Sequence, residues 1–133
     1  MYHVAVGVAR ADEHLTDKVD TVRSLPTSED STRVTVVHIS DGTEGETPAV
    51  AKALQALESA GITADVHRAE AEDSPRTLVE VVDELEVDLL CIGGRRRSPA
   101  GKLQLKPGAK EVILNAACPV VVAGTVASRE PRK

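Results

Sequence analysis

Hydrophobic positions along the chain fall into short blocks that alternate between two periods. Val4-Ala5-Val6-Gly7-Val8 is a continuous apolar run and reads as a buried strand. Leu15, Val19, Val22 and Leu25 then recur at spacings of four, three and three, which is one face of a helix that Pro26 ends. Residues 33–39, with Val34, Val36, Val37 and Ile39, form a second strand, and 41–46 a loop of glycine and acids. Thr47-Pro48 opens the next helix, with Thr as N-cap and Pro in the first turn; Val50, Ala53, Leu54 and Leu57 are its inner face and Gly61 its stop. Residues 62–67 alternate weakly, as an edge strand does. Ser74-Pro75 repeats the cap, and Leu78, Val81, Val82 and Leu85 follow at helical spacing. Residues 87–92 make the most continuous apolar run, as expected of a central parallel strand buried on both faces. A glycine- and arginine-rich loop, a short helix bearing Val112, Ile113 and Ala116, and a last strand over 119–123 complete the pattern.

The sum is βαβαβαβαβ without internal repeats. It predicts one three-layer α/β/α domain over 1–124, with a five-stranded, mostly parallel, doubly wound sheet and a polar tail at 125–133. In such sheets ligands bind beyond the carboxyl ends of the strands, where the strand order reverses. The loops after Val8, Ile39 and Ile92 are therefore the ones to inspect.

Composition narrows the function. Of the hydrophobic residues 19 are Val and 17 Ala, with no Phe or Trp and one Tyr. This excludes an aromatic cofactor cage and an aromatic stacking platform for single-stranded nucleic acid. No apolar run approaches the roughly 20 residues of a membrane span. Met1-Tyr2-His3-Val4 lacks the basic flank and apolar stretch of a signal peptide, so a soluble cytoplasmic domain is expected. Cys91 and Cys118 make neither a disulfide framework nor a zinc site and read as small core residues. His3, His14, His38 and His67 have no metal-ligand spacing, and His38 alone is placed to see the crevice.

Charge is unevenly divided. Residues 1–92 hold 19 acids and 7 bases, net −12, while residues 93–133 hold 2 acids and 9 bases, net +7. One anion-attracting face on an acidic body follows; duplex nucleic acid is a poor partner, because the bulk repels phosphates.

The basic face centres on Gly93-Gly94-Arg95-Arg96-Arg97-Ser98-Pro99-Ala100-Gly101-Lys102. Its glycines allow a sharp turn and close approach of an anion to main-chain N–H groups, and the following helix aims its N-terminal dipole at the same space. It is not a P-loop: Arg96 stands where the first glycine belongs, and Leu103 where the hydroxyl residue belongs. Three readings stand side by side: a solvated basic loop, an anion or nucleotide site, and a protein-partner patch. Lys102, Lys106 and Lys110 recur every four residues and would form one stripe if helical. Asp41, Glu44 and Glu46 are either an Mg²⁺ site beside a nucleotide or a solvated acidic loop.

The chain resembles the universal stress protein family. The resemblance runs from Val4-Ala5-Val6 through Val36-Val37-His38 and Asp88-Leu89-Leu90-Cys91-Ile92-Gly93 to Cys118-Pro119-Val120-Val121-Val122. It implies the adenine-nucleotide α-hydrolase-like form of the fold, a homodimer and no catalysis. ATP-binding members carry a glycine, two residues, a second glycine, nine residues, then Gly-Ser or Gly-Thr. Counting back from Cys118-Pro119, Gly93 takes the first glycine position, Arg96 the second and Lys106 the third, and Pro107 replaces the hydroxyl residue. The family's acidic residue at the end of the first strand corresponds to Gly7. The candidate nucleotide or anion site is thus Gly7, Val37, His38, Ile92, Gly93, Gly94, Arg96, Lys106, Pro107 and Gly108, degenerate in its phosphate loop. No cofactor is expected beyond weak ATP or phosphate. The alternative is an ATP-binding member that acts as a nucleotide switch or slow ATPase.

A receiver-like signalling domain shares the alternation but needs paired acids, a phosphorylatable Asp and a Lys at three strand ends. Gly7, His67-Arg68 and Ala123-Gly124 do not supply them. Val120-Val121-Val122 would leave a wholly apolar edge in a monomer, which predicts a dimer through the last strand.

Overall fold

The computed structural model defines residues 2–8, 15–25, 32–40, 48–72, 74–93, 95–97, 103–105 and 107–123, with backbone alone at 74, 95–97, 103–105 and 107. The elements in order are β1 (Tyr2–Gly7), α1 (Leu15–Arg23), β2 (Thr32–Ser40), α2 (Pro48–Ser59), β3 (Thr63–Glu70), α3 (Ser74–Leu85), β4 (Leu89–Ile92), β5 (Arg95–Arg97), β6 (Leu103–Leu105), α4 (Pro107–Asn115) and β7 (Val120–Val122). Five strands form one sheet in the order β3-β2-β1-β4-β7. Every neighbouring pair in it is parallel, and β4 is buried at all four residues, as its unbroken apolar run predicts.

The two sheet faces bury different clusters. Val4, Val6, Val34, Val36, Leu89 and Cys91 lie on one face with Val19 and Val22 of α1 and Val50, Ala53 and Leu57 of α2. Ala5, Val37, Leu90 and Ile92 lie on the other with Val81 and Val82 of α3 and Ala109 and Val112 of α4. This is the arrangement right-handed crossovers require when the chain winds first one way from β1 and then the other. Cys91 and Cys118 are both free; Cys91 belongs to the first cluster and Cys118 packs against the second, so the sheet separates them.

Helix ends follow the expected chemistry. Gly61 ends α2 at φ 80°, with Ile62 N donating to Leu57 O at 3.0 Å and Gly61 N to Glu58 O at 3.0 Å, a Schellman motif. Glu86 takes the corresponding left-handed position after α3 at φ 53°, without a glycine's freedom.

The structure differs from the sequence reading at several points. The stretch read as an irregular loop after β4 contains a two-stranded antiparallel ribbon, with Arg95 opposite Leu105, Arg96 opposite Gln104 and Arg97 opposite Leu103. Because β6 occupies 103–105 and α4 begins at Pro107, the supposed stripe of Lys102, Lys106 and Lys110 has no continuous helix to carry it. Of the apolar residues named on the short helix, Val112 is buried beside Ala109, Ile113 is 38% exposed, and Ala116 lies just past the helix end. The α1 pattern also shortens, since the helix closes at Arg23, ahead of Pro26.

Candidate functional site

The strand order reverses between β1 and β4, so the carboxyl ends of these two strands flank the crevice where this kind of sheet binds ligands. Gly7 closes β1 on that side and Ile92 closes β4. A Cβ on Gly7 would sit 3.3 Å from Leu78 Cδ2 of α3, so the glycine lets α3 lie close to the end of β1. Gly108 does the same at the start of α4, where a Cβ would meet Pro75 Cγ at 3.1 Å. The first turns of α3 and α4 thereby come together above the sheet.

Two buried polar side chains fix the floor. Lys18 is only 5% exposed, and its Nζ donates to Gly7 O at 2.5 Å. His38, 2% exposed, has Nδ1 2.8 Å from Val8 O; a carbonyl only accepts, so Nδ1 carries the proton. Val8 N donates to Val37 O at 2.9 Å, which extends the β1–β2 ladder past Gly7. The carbonyl of Gly7, the last residue of β1, and that of Val8 just past it are therefore held by side-chain donors. Sequence reasoning found His38 as a structural residue near the crevice but missed Lys18. The signal was there: Lys18 follows Leu15 by three and precedes Val19, inside the apolar arc of the helix.

The other expected site residues divide clearly. Val37 and Ile92 are core residues at 1% and 5% exposure, and Ile92 O accepts from Ala123 N at 2.7 Å. Gly93 follows β4 directly and is half-buried. Arg96 is the middle residue of β5, and Pro107 is the first residue of α4. Gly94, Lys106, Lys102, Asp41, Glu44 and Glu46 lie outside the described residues, as does the tail. Among the described residues no group of acids, histidines and cysteines is placed to hold a metal ion.

Other titratable groups meet at the opposite end of the sheet. His3 Nε2 lies 2.7 Å from Thr35 Oγ1, Thr35 is bonded to Asp65, and Arg33 Nη2 reaches Asp65 Oδ2 at 2.8 Å. A carboxylate only accepts, so the Thr35 hydroxyl donates to Asp65 and His3 Nε2 donates to Thr35. Burial and then the Arg33 charge lower the His3 pKa, against the raising pull of Asp65 and Asp88. A cavity of about 480 Å³ also opens at this end, lined by Asp83, Glu84, Glu86 and Cys118 among others. Burial pushes the Cys118 thiol up, which keeps it protonated at neutral pH.

The family model for universal stress proteins matches residues 5–124. The chain belongs to the universal stress protein family. A universal stress protein from Archaeoglobus fulgidus is similar at 25% identity and TM-score 0.73, over 93% of this chain and 99% of that one. A universal stress protein solved in complex with cAMP is 19% identical, with TM-score 0.68 over 92% and 96% of the two chains. An Arabidopsis thaliana family member with AMP bound is 11% identical, with TM-score 0.65 over 100% and 97%. The last two likenesses establish the shared fold. No curated protein matches the chain at a significant level. In this universal stress protein, then, the segment where ATP-binding relatives are expected to wrap phosphates is partly an arginine-bearing ribbon.

Proposed function

We propose that this universal stress protein is a non-enzymatic stress-response binding protein of the cytoplasm, with a degenerate nucleotide loop and weak or no ATP binding. The observation that carries the reading is the β5–β6 ribbon. Pairing Arg95–Arg97 with Leu103–Leu105 commits backbone N–H and C=O groups of this segment to a strand ladder, and a phosphate cradle needs such N–H groups free. Pro107 adds to this, because α4 begins on a residue with no N–H to offer an anion. The non-enzymatic reading is supported by His38, which is buried on a carbonyl, and by Cys118, whose thiol pKa burial pushes up and which lies at the far end of the sheet. No described helix is long and apolar enough to cross a membrane, and both thiols are free, which suits a cytoplasmic setting.

The protein acts as a homodimer through β7. Its two sheet edges differ in kind: the β3 edge carries Asp65, Arg68 and Glu70, whereas β7 offers three half-buried valines and no charge. Charge blunts an edge against pairing, and an apolar edge needs cover.

The test is calorimetric titration of the natural chain with MgATP, beside ADP and inorganic phosphate. Absent or non-selective heat supports the reading, and saturable binding with ATP preferred over phosphate removes it. That second result moves the protein to the ATP-dependent switch class. The relatives solved with cAMP and with AMP are what favour this alternative.

A further inference from the structure

Among the described residues the exposed large hydrophobics are Val66 of β3, at 38%, and Ile113 and Leu114 of α4, at 38% and 82%. The last two are neighbours, and the side of the helix they occupy can be fixed. The inner stripe of α4 is Ala109 and Val112. At about 100° per residue, Gly108 and Ile113 flank that stripe on opposite sides, each roughly 70° from its middle. A Cβ on Gly108 would meet Pro75 of α3, so the Gly108 flank faces α3, which itself lies against Gly7 of β1 through Leu78. The Ile113 flank therefore faces the other way, toward β7, the outermost strand on that side of the sheet. Lys110, Ile113 and Leu114 stand at i, i+3 and i+4 and make one exposed ridge there.

We propose that α4 of one molecule packs through Ile113 against α4 of a second copy, completing the dimer whose strands pair at β7; the inference rests on that reading of β7. Pairing β7 alone cannot hold a dimer, because it has three residues, each already half-buried. A stable interface covers about 800 Å² and about 20–30 residues on each partner. The rest must come from what borders β7, and on the face of α3 and α4 that is the Ile113 flank. A two-fold axis normal to the sheet runs the two β7 strands antiparallel and keeps both α4 helices on the same face. The crossover from β4 to β7 sets α4 over that strand pair, where its inner residues join Leu90 and Ile92, with Val120 and Val122 packed against them. With strands about 4.8 Å apart, a helix over the middle of the pair lies about 10 Å from its two-fold equivalent. Packed helices lie about 8–10 Å apart, so strand pairing brings the two ridges to contact distance.

Cross-linking tests the contact by position. In the full chain carrying Cys118→Ser, whose remaining Cys91 is buried, Ile113→Cys is treated with a short bis-maleimide. The control is Lys52→Cys, at an exposed position of α2 on the other face of the sheet. The expected result is a covalent dimer from Ile113→Cys alone, which disappears when Val121→Lys is added. In sedimentation velocity, Ile113→Glu with Leu114→Glu weakens the dimer roughly tenfold or more. Far-UV circular dichroism establishes that each variant is folded, and if a charged variant does not fold the cross-link alone decides. Suppose Val121→Lys disrupts the dimer, but Ile113→Cys cross-links no better than Lys52→Cys or the two glutamates change nothing. The α4 contact is then overturned and β7 stands. A monomer, or a dimer indifferent to Val121→Lys, removes the β7 reading and the α4 contact with it.

Discussion

Arg96→Gly, Lys106→Gly and Pro107→Ser together rewrite the segment after β4 toward the pattern of ATP-binding relatives, and the size of the effect can be worked out from the fold. Pro107→Ser returns one N–H and adds one hydroxyl at the start of α4, where the helix dipole favours an anion. Each charge-assisted hydrogen bond to phosphate contributes about 1.5–3 kcal/mol, so two give about 3–6 kcal/mol. Arg96→Gly removes a Cβ where backbone must approach phosphate, but the pairing of Arg96 with Gln104 must open to release the amides. That opening, with about 1 kcal/mol of extra chain entropy for each new glycine, offsets roughly half the gain. The net is about 1.5–3 kcal/mol, a roughly 10- to 150-fold tighter Kd for MgATP. Calorimetry on the natural chain, Pro107→Ser alone and the triple variant reads this directly. Pro107→Ser alone should recover only part of the effect, because the ribbon still occupies the loop. The reasoning fails if the natural chain binds ATP selectively and the triple variant binds no tighter. Arg96 and Pro107 would then be compatible with a phosphate cradle.

Three further outcomes follow from the described contacts. Gly61→Ala should cost about 1–2 kcal/mol in urea unfolding because φ 80° is left-handed, whereas Glu86→Gly, at φ 53°, should gain about 0.5–1 kcal/mol; equal effects at the two caps would contradict the backbone argument. Val121→Lys in the natural chain should weaken dimerisation at least roughly thirtyfold by light scattering, and an unchanged association state with native circular dichroism would remove β7 from the interface. His3 has a folded pKa below its unfolded value of about 6.5, so its contribution is full above that pH and is lost as pH falls through the folded pKa. At Asp65, burial raises the pKa but is outweighed by hydrogen bonds from Arg33 and Thr35 and by the charges of Arg33 and His3, so its contribution is present above about pH 4 and lost on further acidification. His3→Gln should flatten the first limb of a stability–pH curve and Asp65→Asn the second; curves parallel to the natural one would show that neither group is linked to folding.

The main sheet was legible because its signals are local and repeated. Each βα unit carries its own apolar period and its own punctuation, as at Gly61 or Ser74-Pro75, and parallel strands buried on both faces read as unbroken apolar runs. The β5–β6 ribbon was not legible for the opposite reason. Three arginines have no apolar alternation, and Leu103-Gln104-Leu105 is too short to separate from a loop by period. What makes these segments strands is their mutual register, a tertiary fact.

The candidate site shows the same limit from another side. Two of the loops singled out, those after Val8 and Ile92, follow the strands β1 and β4 between which the strand order reverses. What fills the floor of the crevice was not legible, because Lys18 is a charged residue that the amphipathic pattern assigns to solvent by default. Its burial has a specific cause: the carbonyl of Gly7 at the end of β1 and that of Val8 just past it accept from side chains. Buried acceptors must be met, and a long side chain one turn into α1 can bring an ammonium to the first while the neighbouring strand brings His38 to the second. Both residues are therefore committed to holding β1, α1 and β2 in register beneath the crevice. On the proposed reading, the loss of ATP binding therefore lies not in this floor but in the segment after β4, where Arg96 and Pro107 stand.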